Sequence, residues 1–336
     1  TDLLVRDASR AFGKRLDVDQ VVQRFQAAWE TPADRDGGLV LVEASDLARS
    51  MRYRDRVDLA RYEELRSQAL ADTDDLVARL LGEVDPERDA VLLLAPYNLP
   101  GDRDLTVSAL RAPGRGAGYM RSASTQRSGF LTLVDVAPTL LDLLGVDRPV
   151  EMEGRPAEVL ASGDSLDTRV DRLVALNEAS RFRERLLFPT TLAVVVVLAV
   201  VCAAAMAVLA RRTTPRVRRL VAFAALADMT VLPLSYVARA FPLEDLGAGF
   251  YWGFVIAGAV VVAAAVSMAA HRFGRARVAL VVTLVLVMGV PIADVLTGSR
   301  LSLSAAFGYS PTGNSRLYGI SNYSFGQVAA ASCLLA

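Results

Sequence analysis

The stretch at 187–210, LFPTTLAVVVVLAVVCAAAMAVLA, decides the fold class of this chain. It contains no Asp, Glu, Lys or Arg. As a helix rising about 1.5 Å per residue, it exceeds the roughly 30 Å hydrocarbon thickness of a bilayer, so we predict that it crosses a membrane. Similar apolar stretches predict further spans at 220–238, 247–270 and 278–296, and a truncated one at 328–336.

The charged loops between these stretches predict their orientation. Five arginines lie at 211–219, after the first span, and His271 lies with three arginines in the loop after the third span. Because positively charged loops remain in the cytoplasm, residues 1 to about 186 are predicted to be extracytoplasmic. Three arginines just before the first span indicate the opposite orientation, but they are fewer than the five at 211–219; they are Arg181, Arg183 and Arg185. We predict a multi-pass protein of a bacterial plasma membrane.

The composition of the chain limits the classes of partner that we predict for it. The formal net charge is zero, so nothing favours nucleic acid, and the lipid bilayer is the predicted partner. An envelope glycan, a lipid headgroup and another membrane protein are alternatives for a further partner, and no cofactor is predicted. Thr1 is not an initiator methionine and the last apolar run stops at Ala336, so both ends are predicted to be truncated.

Residues 1–164 carry a pattern typical of a soluble α/β domain. Apolar runs with strand character alternate with helical patterns, which predicts a largely parallel sheet. The predicted helices lie at 18–29, 58–81 and 133–144, and the predicted strands lie at 39–43, 90–95 and 105–111. Residues 165–186 are predicted to form an amphipathic connector helix, which leads into an all-α polytopic bundle at 187–336.

The segment SGFLTLVDVAPTLLDLLGVDRP at 128–149, followed by MEGR at 152–155, resembles the C-terminal signature of the alkaline phosphatase superfamily, including its sulfatases and phosphodiesterases. The resemblance implies an α/β fold in which Asp and His residues at strand ends hold two metal ions. The positions of this sequence that it marks are Glu43, Asp46, Asn98, Asp135 and Thr139. More loosely, 308–323 resembles a segment of uncharacterised bacterial membrane proteins that join a degenerate phosphatase-like domain to a multi-span half.

The metal site of that family is predicted to be absent. His271 is the only histidine, it is placed on the cytoplasmic side, and Pro-Tyr-Asn at 96–98 stands where the family typically has ligands. The domain is therefore predicted to be catalytically degenerate, with no metal and no catalytic residue assigned. We interpret Glu43 and Asp46 as a strand-end acid and a helix cap. The alternative is that these two residues bind a lone Mg²⁺ or Ca²⁺.

Two polar clusters of this half allow both a functional and a structural interpretation. Asp135 and Thr139 are interpreted as helix-capping residues rather than as catalytic ones. The stretch RSASTQR at 121–127 is typical of an anion site or of a solvated polar strand end, and we prefer the strand end.

Polar residues of the apolar half form a further candidate site. Asp228 lies near the middle of the second predicted span, where a charge facing lipid costs at least about 2.5–3.5 kcal/mol. Asp294 follows Pro291 within one turn, and we predict that it pairs with Arg316, with Arg300 as the alternative. The remaining candidates lie in or next to the same polar loop: Asn314, Tyr318 and Asn322.

Three functions follow as hypotheses, in order of preference. The first is a non-enzymatic membrane protein whose extracytoplasmic domain binds or organises a cell-envelope component. The second is a membrane-embedded transferase or transporter for a lipid-linked envelope substrate. The third is a phosphoryl or sulfuryl ester hydrolase, which the scarcity of histidine disfavours.

Overall fold

The computed structural model describes residues 3–30, 37–98, 102–211, 213–313 and 317–335. The chain forms two compact units. Unit 1 comprises Thr1–Asp102, Thr106–Gly116 and Ala137–Met152, and unit 2 comprises Arg103–Leu105, Ala117–Val136 and Glu153–Ala336.

Unit 1 combines helices with two β-hairpins. Its helices are α1 (Val18–Trp29), α2 (Ser45–Arg52) and α3 (Leu59–Gly82). Its strands pair antiparallel, β1 (Leu4–Arg6) with β2 (Lys14–Leu16) and β3 (Val91–Leu94) with β4 (Ser108–Arg111). A hydrophobic cluster joins β2, α1 and α3, and its buried members are Leu16, Val21, Val22 and Leu76.

Helices α1 and α3 begin where the sequence predicts. The Asp17 carboxylate accepts a hydrogen bond from the backbone N–H of Gln20, and the Asp58 carboxylate accepts one from the backbone N–H of Arg61. An acidic N-cap of this kind satisfies a backbone donor that the first helical turn leaves without a partner. The predicted helices at 18–29 and 58–81 are thereby confirmed.

The predicted α/β domain with a largely parallel sheet is wrong. The strands of the described residues form three two-stranded antiparallel sheets, the third of which joins β5 (Gly118–Arg121) and β6 (Glu158–Ala161). The predicted strand at 39–43 has no regular secondary structure, and the Leu41 side chain is 90% exposed. An apolar run becomes a buried strand only where neighbouring strands satisfy its backbone, and β3 and β4 pair with each other instead.

Unit 2 is dominated by apolar helices. They are α5 (Leu166–Ala210), α6 (Pro215–Met229), α7 (Val231–Ala238), α8 (Leu243–Arg272), α9 (Ala276–Leu296) and α10 (Asn322–Leu335). The shorter α4 (Val136–Leu143) belongs to unit 1 except for its first residue. The predicted connector at 165–186 and the predicted first span form one uninterrupted helix, α5, which Ser165 caps.

Among the described residues, four helical stretches are long and apolar enough to cross a membrane, which is compatible with a multi-pass membrane protein. They are Leu166–Ala210, Pro215–Ala238, Leu243–Arg272 and Arg277–Leu296. The second stretch is interrupted at Thr230, where α6 ends and α7 begins. Pro233 contributes to this break, because it has no N–H to donate to the Met229 carbonyl. Helix α10 contains most of the predicted fifth span at 328–336.

Candidate functional site in the 297–321 loop

The loop at 297–321, between α9 and α10, enters the helix bundle. Ala305 and Phe307 pack in one hydrophobic cluster with Tyr236 of α7, next to Val194 of α5 and Val290 of α9. Val194 and Val290 lie about two helical turns inside their predicted spans, and Tyr236 lies in the last turn of its span, so the centre of the loop reaches the depth of the end parts of the apolar helices. Irregular backbone at such a depth is tolerated only where protein or water satisfies its polar groups.

A tight turn of the backbone forms the inserted part of the loop. The Tyr309 N–H donates to the Ser302 carbonyl at 2.8 Å, and the Ser304 N–H donates to the Tyr309 carbonyl at 3.0 Å. Ser304 adopts a left-handed conformation with φ of 60°. A Cβ atom at Gly308 would lie 1.8 Å from the Ser302 carbonyl oxygen, so this close backbone approach requires glycine.

Asp294, at the end of α9, holds the start of this loop. Its side chain is buried, with the residue 2% exposed, and its carboxylate accepts hydrogen bonds from the backbone N–H groups of Leu301 at 2.7 Å and Ser302 at 2.9 Å. The predicted partner Arg316 lies outside the described residues, as does Asn314. The alternative, Arg300, is exposed.

A buried arginine of α5 satisfies two carbonyls of the inserted turn. Arg183 is 4% exposed, and its guanidinium donates to the Ala305 carbonyl at 3.3 Å and to the Gly308 carbonyl at 3.4 Å. The same guanidinium forms an ion pair with the neighbouring Glu184. Ser310 of the loop donates to that carboxylate at 2.6 Å. Helix α5 and the loop are therefore joined by charged groups that have little contact with solvent.

A second arginine joins the 117–136 segment to the loop. Arg127 donates to the Leu317 carbonyl at 2.8 Å and also to the Ser299 carbonyl. Burial lowers the pKa of its guanidinium from the ordinary value, and the nearby negative charge of Asp294 opposes that shift. Close by in sequence, Phe130 packs in a buried cluster with two loop residues, and the cluster consists of Phe130, Tyr309 and Leu317.

Tyr236 joins α7 to the end of the loop and the start of α10. Its hydroxyl lies 2.5 Å from the Ser324 hydroxyl and 3.3 Å from the Ser321 hydroxyl. Ser321 in turn donates to the Phe307 carbonyl at 2.8 Å. Of the other candidates here, Tyr318 is half-buried and Asn322 is exposed at the first position of α10.

Asp135 occupies the centre of a separate buried network in unit 2. The residue is fully buried, and its carboxylate accepts hydrogen bonds from the hydroxyls of Ser122 at 2.7 Å, Ser124 at 2.6 Å and Thr132 at 2.7 Å. The backbone N–H groups of Thr132 and Arg155 donate to it as well. Burial alone would raise the pKa of this carboxyl, but these donors outweigh burial and hold its pKa below the ordinary value.

This network bears out one of the two structural interpretations and corrects the other. Asp135 and Thr132 form a capping box at the start of the helical segment, so the capping role of Asp135 is confirmed. Thr139 is buried in α4. The prediction of a solvated strand end at 121–127 is wrong, because Ser122 and Thr125 are fully buried. Serine hydroxyls that the sequence offers to an anion donate instead to the chain's own carboxylate.

Three of the phosphatase-like positions, Glu43, Asp46 and Asn98, belong to unit 1. Asp46 lies in the first turn of α2, where Ala44 occupies the N-cap position, and its carboxylate accepts from the backbone N–H of Leu16 at 3.0 and 3.1 Å and pairs with Arg49. Asp46 therefore holds β2 rather than capping the helix. Glu43 is exposed and Asn98 is half-buried. In the part of the chain that the structure describes, no group of three or more His, Cys, Asp or Glu side chains is placed to hold a metal ion.

Several residues of the loop site are missed by sequence reasoning, namely Arg127, Arg183, Glu184 and Tyr236. The sequence marks Arg183 only as a topology signal, although an arginine next to a glutamate at the edge of an apolar stretch is also typical of a buried pair. Comparisons with models of protein families, with curated protein sequences and with solved structures find no match to this chain. Nothing in them identifies an alkaline phosphatase-like domain.

Proposed function

We propose that the chain is a non-enzymatic multi-pass membrane protein, in which the part preceding the spans binds a cell-envelope component outside the cell and the membrane half organises or transmits that binding. The observation that carries the proposal is the 297–321 loop. It is bonded to the 117–136 segment through Arg127 and to α5 through Arg183. A displacement of the segment would therefore move backbone that lies among the spans.

Side chains of unit 1 support the binding part of the proposal. Leu41 is 90% exposed and Val150 is 91% exposed. Large apolar side chains that remain in water are available to a partner. Both residues precede the first span, on the side that we assign to the envelope.

The orientation rests on the arginine-rich loops and is tested by accessibility. In a chain in which Cys202 and Cys333 are replaced, single cysteines at Glu87, Thr312 and Pro215 report the two sides of the membrane. An impermeant thiol reagent added to intact cells is expected to label the first two positions and to spare the third. Labelling at Pro215 alone would overturn the orientation and with it the envelope side of the proposal.

Binding is tested by photo-crosslinking in intact cells. A photoreactive residue at Leu41 or Val150 is expected to capture an envelope component, and the same residue at exposed, charged Asp74 on α3 serves as the matched control. Equal capture at all three positions would show non-specific proximity and contradict the proposal. Capture that is lost in Arg127→Gln would show that the loop bond also affects binding.

A transporter or transferase for a lipid-linked substrate is the second candidate. The break in the second span at Thr230 favours it, together with the loop that enters the bundle. Interrupted helices at membrane depth are typical of substrate sites in transporters. Accumulation of a lipid-linked envelope precursor in cells that lack the protein, restored by the wild-type chain, would favour this candidate over the first.

A further inference from the structure

Asp228 of α6 and Asp294 of α9 are acids within apolar helices, and their surroundings differ. Both oxygens of Asp294 accept backbone N–H groups from the 297–321 loop. Asp228 is half-buried in α6, and none of the described residues forms a hydrogen bond or an ion pair with its carboxylate. The negative charge is therefore compensated at Asp294 and is not compensated at Asp228.

The position of Asp228 in its helix also works against a negative charge. It is the residue before Met229, at which α6 ends. The carbonyls of the last helical turn carry partial negative charge, which repels a carboxylate placed beside them. At the middle of a bilayer, an ionised carboxylate on a lipid-facing surface also costs at least about 2.5–3.5 kcal/mol.

The elements packed against α6 supply no compensating cation. Helices α5, α7, α8 and α9 all contact it. In α8 and α9 every Asp, Glu, His and Arg lies in the first or last turn, and the 187–210 part of α5 and all of α7 carry none. Inside these stretches of helix the remaining titratable side chains are Cys202 on α5, Tyr236 on α7 and Tyr251 on α8. None of them offers a positive charge.

We propose that Asp228 is a reversible proton-binding site within the membrane, at the break of the second span. A proton from the aqueous phase bonds to one carboxylate oxygen and gives the neutral acid, and its release restores the carboxylate. The neutral acid costs less free energy in lipid than the carboxylate does. The carboxylate places a negative charge two residues before the break at Thr230. Beyond the break, Tyr236 of α7 contacts the hydroxyls of Ser321 and Ser324, so a movement of α7 on protonation reaches the 297–321 loop. The inference holds whichever function the outer part has.

The test uses the full chain in lipid vesicles and dicyclohexylcarbodiimide, which modifies protonated carboxyl groups in apolar surroundings. We expect label on the peptide that contains Asp228, no such label in Asp228→Asn, and retained label in Asp228→Glu. Asp245→Asn, at the exposed start of α8, is the matched control, because it removes another acid of a predicted span helix and is expected to leave labelling at Asp228 unchanged. Labelling is expected to decrease as the pH rises.

Three results would overturn the proposal. Absence of label at Asp228 at every pH, in vesicles where a control carboxyl is modified, would show that the acid is not protonated. Protection by Na⁺ at constant pH would show that the carboxylate binds a metal cation instead. A protonated-carboxyl band in the infrared spectrum that persists in Asp228→Asn would show that the proton resides elsewhere.

Discussion

The charged residues of the two units play different parts. In unit 1, ion pairs such as Arg61 with Glu64 and Arg115 with Asp142 lie on or near the surface, and the paired side chains keep between 26% and 54% of their exposure. In unit 2, Asp135, Arg183 and Asp294 are nearly or fully buried and bond mainly to backbone or hydroxyl groups. Surface pairs contribute little to stability, whereas removing a buried charged side chain leaves the groups that it bonded buried without a partner.

This contrast shows in which unit the stability of the folded chain depends on single side chains. The inserted turn of the 297–321 loop has no helix or sheet to satisfy its backbone. Arg183 donates to its carbonyls instead, and Asp294 accepts from N–H groups at the start of the loop. Substitutions in unit 2 should therefore be costly, and chemically similar substitutions in unit 1 should not.

The largest effect is expected at Gly308. In Gly308→Ala the new methyl group meets the Ser302 carbonyl at 1.8 Å, and backbone on both sides must move. We expect a loss of more than about 4 kcal/mol in the free energy of unfolding in detergent, or a failure to accumulate folded protein. Gly289→Ala in α9 is the control, since a methyl group there meets nothing within 4 Å. Equal stability of the two variants would show that the turn is not inserted as described.

Removing the guanidinium of Arg183 should have the next largest effect. Arg183→Gln removes one of the two arginines that pair with the Glu184 carboxylate, the other being the exposed Arg103, and deprives the Ala305 and Gly308 carbonyls of their donor. A loss of about 3–5 kcal/mol is expected, measured by thermal or denaturant unfolding. The exposed Arg185→Gln provides the matched control on the same helix. A similar small loss in both would contradict the burial of Arg183.

The network around Asp135 should respond both to substitution and to pH. Asp135→Asn replaces a charged acceptor by an amide whose NH₂ faces hydroxyl and N–H donors, and we expect a loss of about 3 kcal/mol. The exposed Asp164→Asn in the same unit is expected to change stability little.

The sign of the pH effect follows from the lowered pKa of Asp135. A carboxyl whose pKa is lower in the folded chain stabilises it above the ordinary Asp value of 3.8, and this contribution is lost as the pH falls through the lower folded-state pKa. Melting temperatures of the wild type should therefore fall more steeply on acidification than those of Asp135→Asn. Parallel pH profiles would rule out this role.

The smallest effect is expected at the surface of unit 1. Arg115→Gln removes the partner of Asp142, whose side chain keeps 45% of its exposure, and we expect a change of only about 0–1 kcal/mol. The effect should shrink further at high salt, because exposed pairs are screened. A loss as large as that of Arg183→Gln would abolish the contrast between the units.

Local signals in the sequence were sufficient for most helices. The uncharged stretch at 187–210, the caps Asp17 and Asp58, and the Thr132–Asp135 box each act within a few residues of the element that they define. The strands were a different matter. The run at 39–43 has strand composition, but pairing depends on partners elsewhere in the chain, and the structure supplies none for it among the described residues.

The candidate site could be predicted only in part. Asp294 and Asp228 stand out because acids are rare in apolar helices, and the sequence therefore marks them. Their surroundings do not follow from spacing. The donors of Asp294 are backbone groups of Leu301 and Ser302, and Arg127 reaches the loop from 172 residues away in the chain.

The sequence alone predicts that the long uncharged stretches form helices, because hydrophobic length is a local property, but two of these helices begin earlier than predicted, at Pro215 and Leu243 in place of 220 and 247. Only the tertiary structure decided that the 297–321 loop enters the bundle and that Arg183 satisfies its carbonyls. Buried backbone must find donors wherever the fold brings them, and that choice depends on residues far apart in the chain. The tertiary structure also gives Asp228 no partner among the described residues, although the sequence marks Asp228 as clearly as it marks Asp294.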